Sequence, residues 1–304
     1  MRDGMLMAQP FDNRRMVLTG SAMPVAERVA AGGSAFYASA NDSLVFQRSP
    51  ALQLTWYDRA GKVLGTVGEP ADYQGALVLS PDGTRAAVSK RSGEGPNIWL
   101  LNLSHDGEST RFTFGSGYET QPAWSPDSSR IIFVSDREGP DYLYEKPVNG
   151  ANDGVAVLKS SVGTQGTSWS RDGRFLLYTV TDPKRQHDIF ALPLQGDKKP
   201  VPFLSAQFNE FQPHFSPDGH WVAYGSNESG PLEVFVRSFS ANSGGLAVEA
   251  GGRWQISDGG GVDPRWRGDG RELFYRSPME GQWLLRSPPS QRSGPGSLSH
   301  WQSP

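Results

Sequence analysis

Phe215-Ser216-Pro217-Asp218-Gly219-His220-Trp221-Val222-Ala223-Tyr224 carries a turn between two apolar runs. Pro sets φ at the first central position of such a turn, Asp and Ser reach nearby backbone N–H groups, and Gly takes the positive φ at its end. The same tetrapeptide slot recurs as Ser80-Pro81-Asp82-Gly83, Ser125-Pro126-Asp127-Ser128, Ser170-Arg171-Asp172-Gly173 and Arg267-Gly268-Asp269-Gly270. The aspartates stand at 82, 127, 172, 218 and 269, so the steps are 45, 45, 46 and 51 residues. Ser39-Ala40-Asn41-Asp42-Ser43 is a decayed sixth copy, 40 residues before Asp82. A period of this length suits one four-stranded propeller blade.

The flanks repeat with the turn. Leu79, Trp124, Trp169, Phe215 and Trp266 precede it, and runs such as Ile131-Ile132-Phe133-Val134 and Phe175-Leu176-Leu177-Tyr178 follow. These runs are apolar at successive positions, so both faces of the strand must be buried. A propeller provides this by packing each blade between two others. The large residue before each turn is then a wedge between blades. The expected fold is therefore all-β: a β-propeller of four-stranded antiparallel blades, about six in number. The expected blades lie near 35–67, 73–113, 118–158, 164–204, 210–257 and 262–286. Residues 1–25 either supply closing strands, with Leu6 to Phe11 and Met16 to Thr19 extended, or are the remnant of a preceding blade in a larger propeller. The stretch 287–304 reads as a disordered tail.

Composition narrows the function classes. Gly (36) and Pro (23) make the chain rich in turns, yet nine Trp, nine Tyr and fifteen Phe supply a core that disordered chains lack. The net charge of −3 argues against a strongly basic nucleic-acid binder. With no Cys, disulfides, thiolate nucleophiles and Cys-ligated zinc are excluded. No apolar run reaches the length of a membrane span, so no membrane insertion by this chain is expected. The start, Met1-Arg2-Asp3-Gly4, does not read as a signal peptide. Cys absence fits an extracytoplasmic, periplasmic setting within a parent protein; expressed alone, the chain would stay in the cytoplasm.

The repeats resemble the WD-like propeller repeat of TolB-type proteins, whose hallmark is the Ser-Pro-Asp-Gly turn. Leu54-Thr55-Trp56-Tyr57-Asp58-Arg59-Ala60-Gly61-Lys62, Lys199-Pro200-Val201-Pro202-Phe203-Leu204 and Ser226-Asn227-Glu228-Ser229-Gly230 also resemble the propeller region C-terminal to many bacterial serine/threonine protein kinases. The resemblance runs from about Met5 to Arg286. It implies a propeller associated with a kinase-like receptor. Repeat similarity speaks to fold far more than to function, because propellers host many roles.

Catalytic signatures are missing from the sequence. There is no kinase His-Arg-Asp or Asp-Phe-Gly, no Gly-x-Ser-x-Gly nucleophile elbow and no dinucleotide fingerprint. His105, His187, His214, His220 and His300 show no metal-binding spacing. The repeated aspartates sit one per blade, too far apart to share an ion, and read as turn caps. Gly259-Gly260-Gly261 precedes no helix and reads as an inter-blade loop rather than an anion cradle. Asn41, Asn102 and Asn227 head Asn-x-Ser sequons that chance explains. No cofactor or metal site is expected. The candidate partner-binding residues lie just before the first strands, on one rim around the central channel: Tyr73, Tyr118, Glu119, Phe208, Glu210 and Asp263. Aromatics beside carboxylates there either bind a basic or peptide partner or cover the inter-blade seam. The expected role is non-catalytic binding of a protein, peptide or small ligand. The alternatives are the gating propeller of a prolyl-oligopeptidase-type peptidase and a propeller enzyme such as a lyase or lactonase.

Overall fold

A computed structural model describes residues 52–276, apart from short breaks at 93–94, 105–106, 116, 151, 183–185 and 242–247. It also describes the backbone of strands at 5–8, 11–12, 17–18, 23–27, 36–38, 44–46 and 283–286. The Ser39–Ser43 turn and the 287–304 stretch lie outside the described residues. Among those described there is no helix.

Six sheets follow one another along the chain, and the molecule is an all-β propeller. Blade 1 comprises Phe36–Ala38, Leu44–Phe46, Leu52–Tyr57 and Val63–Ala71. Blade 2 comprises Tyr73–Leu79, Arg85–Ser92, Gly95–Asn102 and Ser109–Arg111. Blade 3 comprises Glu119–Trp124, Arg130–Ser135, Tyr142–Pro147 and Val155–Leu158. Blade 4 comprises Gly163–Trp169, Phe175–Asp182, Gln186–Pro193 and Val201–Leu204. Blade 5 comprises Glu210–Phe215, Trp221–Ser226, Glu233–Ala241 and Val248–Gln255. All five are antiparallel meanders.

Blade 6 is built differently. Val262–Trp266, Leu273–Arg276 and Trp283–Arg286 are followed in the sheet by Met5–Ala8 and then Met23–Glu27. Met5–Ala8 runs parallel to Trp283–Arg286, with Leu6 opposite Trp283. The N-terminal segment thus joins the last sheet. Val17–Leu18, expected as a fourth strand, pairs with Phe11–Asp12 in a separate small hairpin. A bidentate ion pair also bridges the first and last blades, with Arg59 donating to both Glu272 oxygens at 2.8 and 2.5 Å.

Each turn between first and second strands in blades 2 to 6 is the hydrogen-bonded device its sequence implies. In blade 3 the Ser125 hydroxyl donates to Asp127 Oδ1 at 2.5 Å and accepts from the Arg130 N–H at 2.9 Å. Blades 2, 4 and 5 repeat this with Ser80, Ser170 and Ser216. Ser128 stands where other turns have Gly, at φ 58°. Its hydroxyl accepts from the Asp82 N–H of blade 2 at 3.2 Å, which offsets the strained conformation. The Ser125 and Ser129 hydroxyls, with the Ser129 N–H, hold the Asp127 carboxyl down to about 2. A depressed carboxyl contributes stability above its ordinary pKa and loses it as pH falls toward the folded value. Asp127→Ala should therefore cost about 1 kcal/mol at neutral pH. It should also flatten the loss of stability seen in denaturation curves as pH falls below the ordinary carboxylate range.

The core consists of layers between blades. Trp124 is packed with Ala87 and Ile98 of blade 2 and with Ile131, Phe133 and Tyr144 of its own blade. Trp169 does the same between blades 3 and 4, Phe215 between 4 and 5, and Trp266 between 5 and 6. The indole N–H groups of Trp124 and Trp266 donate back to carbonyls of the preceding blade, Val78 and His214, both at 3.0 Å. These residues are the inter-blade wedges.

Candidate functional site

The first strands of blades 2 to 6 line a cavity of about 690 Å³ at the central channel. A β-bulge interrupts the pairing of the first strand in each of blades 2 to 6. At the bulge one residue per blade has positive φ: Gly75 at 77°, Gln121 at 53°, Gly166 at 56°, Gln212 at 54° and Asp263 at 55°. Such bulges re-aim side chains. Here they aim them along the ring. Gln121 Oε1 accepts the Gly166 N–H of the next blade. Gln212 Oε1 accepts the Asp263 N–H at 3.0 Å, while its amide donates to Asp263 Oδ1. Left-handed backbone costs about 1–3 kcal/mol for a non-glycine residue, and these blade-to-blade bonds offset it. The glutamines escape a reading centred on aromatics and carboxylates. Their signal is the recurrence of Gln121, Gly166, Gln212 and Asp263 six residues before the turn aspartate of blades 3 to 6, with Gly75 seven before it in blade 2.

The six candidate residues divide by exposure. Tyr73 is buried in the layer between blades 1 and 2, and its hydroxyl donates to the Glu69 carbonyl at 3.0 Å. Burial, with the Glu69 charge, pushes this phenol up to about 12. Glu119 is fully buried; Arg137 pairs with it and the Asn97 amide donates to it at 3.1 Å. Asp263 is fully buried and paired with Arg276 at 3.0 Å. Glu210 is buried and has one oxygen, Oε2, with no hydrogen-bond partner. Tyr118 is exposed and Phe208 is half-buried, so these two face outward. Glu119 and Asp263 thus have their charge neutralised inside the seams, with little left for a partner.

Other residues form the accessible channel wall. His187 and Phe211 both line the cavity, their rings edge to face at 6.1 Å. His214, half-buried, lines it too; burial of the ring, with Arg265 nearby, drives its imidazole down to about 3, so it is neutral. Among the described residues no group of three His, Asp or Glu side chains is placed to hold a metal ion. The Gly259–Gly261 loop holds an anion of the protein's own: the Gly260 N–H donates to Glu233 Oε1 at 2.9 Å.

Comparison with known proteins agrees with this architecture. An uncharacterized peptidase of Bacillus subtilis (strain 168), YuxL, is 28% identical over 204 residues, covering 52% of this chain and 31% of that protein. The chain thus spans about a third of that relative's length. The crystal structure of TolB from Acinetobacter baumannii superposes with a TM-score of 0.60 at 17% identity, over 82% of this chain and 63% of that one. An oligogalacturonate lyase in complex with manganese gives 0.57 at 16% identity, over 88% and 80%. These two structural likenesses establish the fold alone. Residues 60–244, more than half of the sequence, match the TolB beta propeller domain, and the chain belongs to that family.

Proposed function

We propose that this propeller is a non-catalytic binding module that takes a protein, peptide or small ligand in its channel and on the adjoining rim. The observation that carries this reading is the channel itself: a cavity walled by His187, Phe211 and strained glutamine bulges, while Glu119 and Asp263 are neutralised in the seams behind. A concave site that mixes apolar surface with amide, hydroxyl and imidazole groups suits recognition. In this reading the module is the sensor or interaction region of a larger protein. That parent is either a bacterial serine/threonine kinase-like receptor, suggested by the stretches at 54–62, 199–204 and 226–230, or a TolB-like protein. An extracytoplasmic setting accords with the absence of Cys.

A second reading rests on YuxL, a peptidase by description, a third of whose length this chain matches. Here the propeller is the gate of a peptidase whose catalytic part lies on other sequence. A lyase or lactonase reading has less support, because it needs catalytic groups in the channel.

The test uses peptides selected from a random displayed library on the purified chain, with affinities measured by calorimetry. Phe211→Ala and His187→Ala should each weaken binding about tenfold, the loss of one well-packed contact worth about 1.4 kcal/mol. Affinities unchanged by both substitutions would remove the channel from the proposal. Turnover of peptide or sugar substrates that vanishes with Glu210→Gln would replace it with an enzyme.

A further inference from the structure

Two inter-blade seams share one scaffold but differ in charge. Glu119 stands opposite Ser135 in blade 3, and Glu210 stands opposite Ser226 in blade 5. Two residues after each serine the backbone N–H, of Arg137 or Glu228, donates to the serine hydroxyl, at 3.3 and 3.2 Å. The preceding blade contributes Asn97 to the first seam and Asp188 to the second, each just before a fully buried isoleucine, Ile98 or Ile189. Asn97, Glu119 and Arg137 are therefore replaced by Asp188, Glu210 and Glu228. One amide and one cation have become two carboxylates.

The second seam compensates only in part. Arg253 pairs with Glu228 and lies 5.6 Å over the Phe235 ring, much as Arg137 lies 4.4 Å over Tyr144. Arg237 donates to the Tyr224 hydroxyl at 3.0 Å. Arg237, the cation that acts on Glu210, thus bonds the tyrosine rather than the carboxylate. Ser205 donates to Asp188 Oδ2 at 3.1 Å, but Asp188 Oδ1 and Glu210 Oε2 are both partnerless. The two residues are only 6% and 4% exposed. No hydrogen bond joins their carboxyls; they act on each other through charge. The charged groups facing Glu210 are Asp188 from blade 4 and Glu228 and Arg237 from blade 5. Burial raises Glu210 most, the Ala206 N–H opposes it, Asp188 and Glu228 raise it further and Arg237 lowers it, leaving it at about 7.

This seam lies directly behind the channel wall. Asn209 and Phe211, on either side of Glu210, line the cavity, as does His187 beside Asp188. We propose that Glu210 and Asp188 form a proton-operated latch between blades 4 and 5 that sets how tightly the His187–Phe211 wall closes. With Glu210 protonated the seam is at rest. Ionised, Glu210 and Asp188 repel in a buried setting, and the wall loosens. Because the folded value lies above the ordinary carboxyl value, the stabilisation is complete below the ordinary value. It is lost as pH rises through about 7.

The biological consequence rests on the channel-binding reading, but the latch can be tested without a ligand. The chain has no Cys, so Asn209→Cys places one thiol on the wall. Its maleimide alkylation rate is compared between the otherwise unaltered chain and the Glu210→Gln background, which cancels the thiol's own titration. The ratio should be lowest at the acid end, about pH 5.5, and rise severalfold by about pH 8.5. In an Asp188→Asn background, which also serves if Glu210→Gln does not fold, the rise should weaken and move to lower pH, because the charge that raises Glu210 is gone. A ratio that stays flat across this range, or a rise indifferent to Asp188→Asn, would overturn the latch while leaving peptide binding in the channel untouched.

Discussion

Trp124→Ala is expected to destabilise the propeller by about 3–5 kcal/mol, the range for deleting a buried tryptophan. Trp124 is 5% exposed and packs on residues of two blades. Its indole N–H holds the Val78 carbonyl across the seam, and Arg85 lies 5.0 Å over its ring. Truncation opens a cavity and strands both partners. Flanking layers cannot collapse into the space without shifting a whole sheet. Urea denaturation checks this, with Asp127→Ala, three residues away in the same turn, as the internal comparison. If the turn variant lost more stability than the wedge variant, the layered account of the core would be wrong.

Arg137→Met should cost nearly as much, about 3–5 kcal/mol, by a different route. It leaves Glu119 fully buried with the Asn97 amide but no directly paired cation. Asn97 is itself held by Arg111 at 2.6 Å, so it cannot turn to give more. The companion variant separates a lost pair from lost packing. Combining Glu119→Gln with Arg137→Met removes the stranded charge and should recover most of the stability, since a buried pair replaced on both sides is often close to neutral. Equal losses in the single and double variants would mean that the guanidinium matters for its packing on Phe133 and Tyr144 instead.

The blade repeat was legible because each copy must solve the same steric problem. A Ser-Pro-Asp-Gly turn and a doubly apolar strand such as Ile131–Val134 leave few alternatives to packed blades. The burial of the candidate residues was not legible. Glu119 and Glu210 open their strands, yet a sequence does not say that Arg137 reaches the first while Arg253 pairs with Glu228 instead. The trace of that exchange is visible only when Ser135-Asp136-Arg137-Glu138-Gly139-Pro140 is set over Ser226-Asn227-Glu228-Ser229-Gly230-Pro231. The bulge residues were hidden for another reason. Gln121 and Gln212 adopt a conformation that glutamine rarely takes, and nothing local announces it.

The Arg59–Glu272 pair joins residues 213 positions apart, whereas wedges such as Trp124 and Val78 meet across 46. By the logarithmic scaling of loop entropy, the longer closure costs about 1.4 kcal/mol more than a step between neighbouring blades. Chemically similar joints are therefore unequal in thermodynamic weight. A ring of this kind has a built-in weakest link, and under tension or heat the junction of first and last blades is where the circle parts.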